Sequence, residues 1–341
     1  MINKALQTLS FIFLMFMLSC GEQDVKEPMV KDEMPEMTGT APSPRINMLN
    51  QQIRENPDNA ELYYLRSKEY YELRKFGEAL FDINRAIEKD PEQSDYHLKQ
   101  GKIYFENFDI TRSMNSLRKA HELKPDRDDA LYFMGKYMYY FAQYEEAMGF
   151  ANRALRLDIF NPDVYFLKAM IFKETGEIDK AISNFQTAVE QDPEFYHAYV
   201  QLGLLFGEKQ DPLTVRYFQN ALRVDPESTE SLYGIALYYQ GKEDFEKAMD
   251  YYKQIIEIDS RHERAYYNKG FIYFQQDSLE KADRHFGIAI NISPTFADAY
   301  YMRGLCAEAE NDFVTAEFYY RQALRLEEHA LASRGLDRIG R

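Results

Sequence analysis

The chain is predicted to be all-α, a stack of about eight helix-turn-helix units, on three observations. Small residues return at one period along most of its length. Between them, apolar residues recur at helical spacing. Gly (16) and Pro (12) are few among 341 residues, which suits long helices better than a turn-dense β protein. An apolar share of 45%, with 27 Tyr, 24 Phe and no Trp, supplies a large core.

The first 45 residues stand apart. Lys4 precedes an apolar segment from Ala5 to Leu18 whose uninterrupted part, Phe11 to Leu18, has eight residues. That is too short to span a bilayer, which takes roughly 20, but has the length of a secretory signal core. The segment ends in Met17-Leu18-Ser19-Cys20-Gly21. This resembles the lipobox of bacterial lipoproteins, and the resemblance implies removal of residues 1–19 and a diacylglycerol on the Cys20 sulfur. An ordinary signal peptide with an incidental cysteine is the competing reading. Residues 20–45 follow as a predicted disordered tether: Gly21 to Pro44 holds six acids, two lysines and four prolines with no apolar period. Gly21 after the cysteine resembles outer-membrane sorting in Gram-negative bacteria, and Glu22-Gln23-Asp24 loosely resembles a surface-export signal. The expected location is therefore the cell envelope, lipid-anchored to the outer membrane, facing the periplasm or the surface.

Beyond the tether, residues 46–57 read as a capping helix and 58–330 as eight repeats. Small residues stand at Ser67, Gly101, Gly135, Ala169, Gly203, Ala236, Gly270 and Gly304, spaced by 34 except for one step of 33. A second series runs Ala86, Ala120, Ala154, Ala188, Ala221, Ile255, Ala289 and Ala323. A third, Ala79, Ser113, Ala147, Ala181, Ala248, Ala282 and Ala316, misses the fifth repeat. The shared short step puts a one-residue deletion between Gly203 and Ala221, at the turn holding Asp211-Pro212. Each unit holds two apolar-periodic helices, such as Leu62-Leu65-Tyr70-Leu73 and Ala79-Leu80-Ile83-Ile87. Small residues at their crossing allow close approach. Pro91, Pro125, Pro193, Pro226 and Pro294 stop the second helix; Ile159, Ser260 and Glu328 stand where proline is missing, so those exits are expected to be less sharp. Tyr63, Leu131, Tyr165, Tyr199, Leu232, Tyr266 and Tyr300 precede the first series by four, with His97 the exception. Residues 331–341 read as a C-terminal cap, with Leu331, Ala332, Gly335, Leu336 and Ile339 on one face and Arg334, Arg338 and Arg341 toward water.

These motifs resemble the tetratricopeptide repeat over residues 60 to 330, with Tyr in place of the family's usual Trp. The resemblance implies a right-handed superhelical solenoid whose first helices line a concave surface, and it implies a groove that binds a peptide or protein partner. Carried over residue by residue, one ring of the groove is Tyr64, Leu98, Tyr132, Phe166, Val200, Tyr233, Tyr267 and Tyr301. The next is Lys68, Lys102, Lys136, Met170, Leu204, Leu237, Phe271 and Leu305; a further ring adds Tyr71, Phe105, Tyr139, Lys173 and Phe274. The first half thus presents lysines among aromatics, suited to an acidic extended peptide, and the second half is apolar. The competing reading pairs Lys68 and Lys102 with Glu72 and Glu106 at i,i+4 and packs the aromatics between repeats. The two-carboxylate clamp of chaperone-binding relatives needs Asn beside the lysines, and those are absent.

A formal charge of −15, from 41 Lys+Arg against 56 Asp+Glu, argues against nucleic acid and against charge-driven adsorption to an anionic membrane. Two cysteines, Cys20 and Cys306, give no disulfide framework, and Cys306 on an apolar helix reads as a small buried hydrophobe. The six histidines match no two-ligand helical motif, and no phosphate-cradling loop or nucleophile elbow occurs. Carboxylates read as solvated. No enzyme, metal or cofactor is expected. The expected function is a membrane-anchored interaction scaffold of the bacterial envelope. The alternatives are an assembly factor for an outer-membrane secretion or pilus system, or a carrier of a lipid or other apolar ligand. Adaptor roles toward envelope proteases and cell-wall hydrolases follow from similar lipoproteins.

Overall fold

Backbone polar groups decide where each helix starts and stops. Residues 43–340 are described by the computed structural model; among them eighteen helices follow in order and no strand occurs. The lipobox with Cys20, most of the tether and Arg341 lie outside the described residues. Helix α1 (Pro44–Glu55) precedes eight pairs: α2 (Ala60–Glu72) and α3 (Phe76–Lys89), α4 (Ser94–Glu106) and α5 (Ile110–Leu123), α6 (Asp128–Tyr140) and α7 (Tyr144–Leu157), α8 (Pro162–Glu174) and α9 (Ile178–Gln191). The series continues with α10 (Tyr196–Gly207) and α11 (Leu213–Val224), α12 (Thr229–Gly241) and α13 (Phe245–Ile258), α14 (Glu263–Gln275) and α15 (Leu279–Ile292), α16 (Ala297–Ala309) and α17 (Phe313–Leu326); α18 (Ala330–Arg338) closes it.

Within each pair the turn is made by one left-handed residue. Arg74, Phe108, Ala142, Gly176, Gln210, Glu243, Asp277 and Asn311 all have positive φ. The next N–H then reaches back to a carbonyl of the last helical turn, as from Lys75 to Tyr70 and from Asp109 to Tyr104, both 2.9 Å. The left-handed series runs 34 residues from Gly176 to Gln210 but 33 from Gln210 to Glu243, while Ala181 to Thr214 is already 33. The deletion therefore lies between Gln210 and Thr214, where α11 has 12 residues and the other second helices 14.

The exits lacking proline are as sharp as the others, contrary to expectation. Helices α7, α13 and α17 end at Leu157, Ile258 and Leu326, in register with their neighbours. At two of them an aspartate does the work: Asp158 accepts from the N–H of Phe160 and Asp259 from that of Arg261, each at 2.9 Å. At the third, His329 Nδ1 caps α18 by accepting from the N–H of Ala332 at 3.1 Å.

The small residues are crossing points. A Cβ on Gly101, Gly203, Gly270 or Gly304 would stand 2.5–2.9 Å from Leu117, Phe218, Phe286 or Tyr320 of the second helix. Those side chains and Phe185 and Tyr252 are buried to within 1%. Tyr320 is held between Gly304 and Gly335, which docks α18. His97 fills the place of a tyrosine: its Nε2 lies 2.8 Å from the Pro91 carbonyl, as the hydroxyls of Tyr63 and Tyr165 donate to Pro57 and Ile159. Cys306 is buried, which pushes its thiol up to about 12.

Some end and surface expectations are corrected. Leu331 is half exposed, because α18 has only the last pair to pack on. Arg338 forms an ion pair with Glu308. Asp82 is fully buried, held by Arg66 through two bonds of 2.7 and 2.6 Å; the same guanidinium reaches Asn50 of α1 at 2.7 Å. That pair ties the first helix to the stack.

Candidate partner-binding groove

First helices of successive repeats touch one another, as α6 with α8, α10 with α12 and α14 with α16, whereas second helices contact only first helices to a comparable extent. The first helices are thus the closer-packed inner layer, and their free faces line the concave side.

The basic row lies on α2, α4 and α6. Lys68 Nζ stands over the Tyr64 ring at 5.4 Å, Lys102 over Phe133 at 4.1 Å, and Lys136 near Tyr132 and Phe133 at 5.9 and 6.0 Å. The i,i+4 pairs of Lys68 with Glu72 and of Lys102 with Glu106, the competing reading, do not form; aromatic faces hold the ammoniums instead. A fourth lysine joins them that the sequence reading missed: Lys99 lies 3.5 Å above the Tyr71 ring. Burial, reinforced by Lys102 and Lys68 and opposed by Glu72, lowers its ammonium to about 8. Burial also lowers Lys102. None of the four is ion-paired among the described residues. Of the acids that face them, Asp129 is held by Arg127 at 2.6 and 2.8 Å and Asp95 by the same guanidinium at 3.0 Å, while Glu72 acts on Lys99, and Asp163 on Lys102 and Lys136, from beyond ion-pair distance. Lys99 holds none of the ring positions and meets Tyr71 of the preceding repeat only through the packing of α4 on α2, so no spacing in the sequence signals it.

The row leads into a cleft of about 430 Å³ lined by Tyr132, Lys136, Tyr139, Phe166 and Met170, with Asp163 at its side. Here the structure brings predicted residues together, and it adds Tyr140, Phe195 and His197. Burial pushes the Tyr132 phenol far above its ordinary range and that of Tyr139 up to about 12, so both stay neutral donors.

Other ring members close the joints between repeats. Tyr64 packs on Tyr96 at 4.9 Å, Phe166 on Phe195 at 5.1 Å, Tyr267 on Phe296 at 4.9 Å, Tyr233 on His262 at 5.5 Å and Tyr301 on His329 at 5.0 Å. Phe105 stacks on Tyr137 at 3.8 Å. Phe271 and Phe274 are half-buried beside Phe286, and Lys173 donates to Gln201 at 2.7 Å. Leu98 and Val200 are buried and leave the groove, because the core between repeats takes them. In the second half Leu204 and Leu237 stay exposed at 40% each.

A sequence profile of the tetratricopeptide repeat matches residues 60–93, 162–195, 229–262, 263–296 and 297–329. Anaphase-promoting complex subunit 3 of Schizosaccharomyces pombe is 24% identical over 109 residues, 32% of this chain but only 16% of that protein. Among solved structures, a tetratricopeptide repeat protein from Parabacteroides merdae aligns with TM-score 0.51 at 18% identity, over 73% of this chain and 99% of that one. Pseudomonas aeruginosa pilF aligns with TM-score 0.53 at 16% identity, over 62% and 96%. At such identities the structural likeness speaks for the fold alone. Repeat period, helix pairing and profile agree: the chain is a solenoid of tetratricopeptide repeats.

Proposed function

We propose that this protein is a lipid-anchored interaction scaffold of the bacterial cell envelope whose inner wall binds an extended, acidic segment of a partner protein carrying apolar side chains. The observation that supports the groove reading is the row Lys68, Lys99, Lys102 and Lys136, unpaired among the described residues and opening on the aromatic cleft at Tyr132 and Phe166. Ammoniums held over ring faces keep their charge available, and a carboxylate ligand offsets the burial of Lys99 and Lys102, which Glu72, Asp129 and Asp163 offset only in part. The cleft takes a large apolar or aromatic side chain of the same segment. The anchor at Cys20 is supported by the lipobox resemblance.

Fluorescence polarisation with a labelled peptide alternating Asp and Leu tests the groove, against a control alternating Lys and Leu. The triple variant Lys68→Glu, Lys102→Glu, Lys136→Glu is expected to lose at least about tenfold in affinity, more than 1.4 kcal/mol, while its helical circular dichroism is unchanged. Equal binding by that variant, or tighter binding of the basic peptide, overturns the reading. Incorporation of labelled palmitate in cells, lost in Cys20→Ala, tests the anchor separately.

A further inference from the structure

The turns inside the helix pairs all lie along one edge of the solenoid, and their chemistry changes along it. In the first three repeats the turn segments are Glu72-Leu73-Arg74, Glu106-Asn107-Phe108 and Tyr140-Phe141-Ala142. In the remaining five they are Glu174-Thr175-Gly176, Glu208-Lys209-Gln210, Gly241-Lys242-Glu243, Gln275-Gln276-Asp277 and Ala309-Glu310-Asn311, without a large apolar side chain, and along this edge exposed apolar residues return only at Phe313 and Val314, just past the last of them. Leu73, Tyr140 and Phe141 are 50–59% exposed and Phe108 is 90% exposed. Phe108 also occupies the left-handed position, with φ 60°, where a bulky side chain is disfavoured and Gly or Asn would serve. A residue that is strained locally and fully solvated contributes nothing to the fold that explains it.

The chain enters at this same edge. Helix α1 runs antiparallel to α2, and Arg45 in its first turn lies 3.8 Å from Glu69, near the end of α2 that carries Leu73. Cys20 is separated from Ser43 by 22 residues, a length that reaches at most roughly 80 Å and can be far shorter.

We propose that this apolar rim, Leu73, Phe108 and Phe141, is a membrane-contact surface that dips into the interfacial layer of a lipid bilayer and orients the solenoid on it, with Tyr140 behind it at the edge of the cleft. The proposal rests on the anchor at Cys20 for holding the rim near the membrane. Phenylalanine at loop tips suits the headgroup boundary, where a ring leaves water while the backbone stays wet. Contact is by insertion of side chains: no described helix is long and apolar enough to cross a membrane. Charge adds little, because Arg74, Lys75 and Arg112 on the rim are offset by Glu72, Glu106 and Asp109. A single chain end and separate protruding tips fit a fluid surface better than a packed protein groove.

The absence of tryptophan from the sequence provides the test. Phe108→Trp places one fluorophore at the rim of the full chain, and Phe160→Trp, 65% exposed at the opposite edge, serves as control. With vesicles of phosphatidylethanolamine and phosphatidylglycerol, the Phe108→Trp emission is expected to shift to the blue and to be quenched by brominated acyl chains, in high salt as in low, while the control stays unquenched. No quenching of Phe108→Trp on vesicles to which the chain is attached overturns the proposal. A blue shift that needs no vesicles and grows with protein concentration also overturns it, by assigning the rim to a second copy. Flotation of Cys20→Ala beside the unaltered chain reads the anchor independently, so loss of the anchor and failure of the rim are told apart.

Discussion

Lys99 shows how one side chain ties fold to function. Its position between Lys68 and Lys102, with an aromatic face beneath it, removes more water than the charge of Glu72 offsets, and its ammonium falls to about 8. Because the folded value lies below the unfolded one, burial of this charge costs stability fully below pH 8, and the cost fades as pH rises from 8 toward the unfolded value. On the proposed groove function, affinity for an acidic peptide is expected to move the opposite way and to weaken above pH 8. NMR titration of isotopically methylated lysines is expected to find Lys99 titrating near pH 8; a midpoint near that of free lysine would show the site to be wet. The row Lys68, Lys102 and Lys136 was legible in the sequence because repeat spacing puts equivalent residues on one wall. Lys99 was not, since its place depends on how α4 leans on α2. The absent i,i+4 pairs have two causes: Lys68 lies over Tyr64, four residues back on its own helix, whereas Lys102 lies over Phe133 of the next repeat, which spacing along one helix cannot reveal.

At the scale of elements, α11 is the irregular one. Losing a residue between Gln210 and Thr214 shortens it and puts Thr214 where every other repeat has Ala or Ser. Ser67 and Ser113 show that a hydroxyl can be satisfied at such crossings, bonding the carbonyls of Ala79 and Gly101 at 2.9 and 2.7 Å. Thr214 is 1% exposed, and its hydroxyl has no hydrogen-bond partner among the described residues. Thr214→Ala is therefore expected to stabilise the protein by about 1 kcal/mol, read as a higher urea midpoint; a lower midpoint would mean that the methyl packing outweighs the stranded hydroxyl. Proline was the wrong signal for the ends of α7 and α13. The aspartates Asp158 and Asp259, plain in the sequence, close those turns by side-chain bonding.

Across the whole molecule, contact among the described residues is confined to helices of the same or adjacent repeats, so stability is local and propagates by stacking. Breaking the Arg66–Asp82 pair strands a buried guanidinium and should cost about 3–5 kcal/mol within the first repeat. In Asp82→Ala, hydrogen exchange is expected to lose protection in α1, α2 and α3, while α12 to α18 keep theirs; uniform loss would show a single cooperative unit. The buried Asp82 also marks where reading acids as solvated fails, because partnership with Arg66 depends on three helices meeting.

The sequence by itself determined the helical solenoid, the number of its repeats and the place of its deletion, because a 34-residue recurrence of small residues leaves the two-helix unit as the one arrangement that buries each apolar stripe. It also marked the lysine wall. Only the tertiary structure decided which aromatics seal joints and which line the cleft, that Leu98 and Val200 belong to the core, and that Phe108 and Phe141 share an edge with the chain's entry. Those outcomes depend on the tilt between adjacent repeats, which is set by packing across residues far apart in the chain and leaves no period to read.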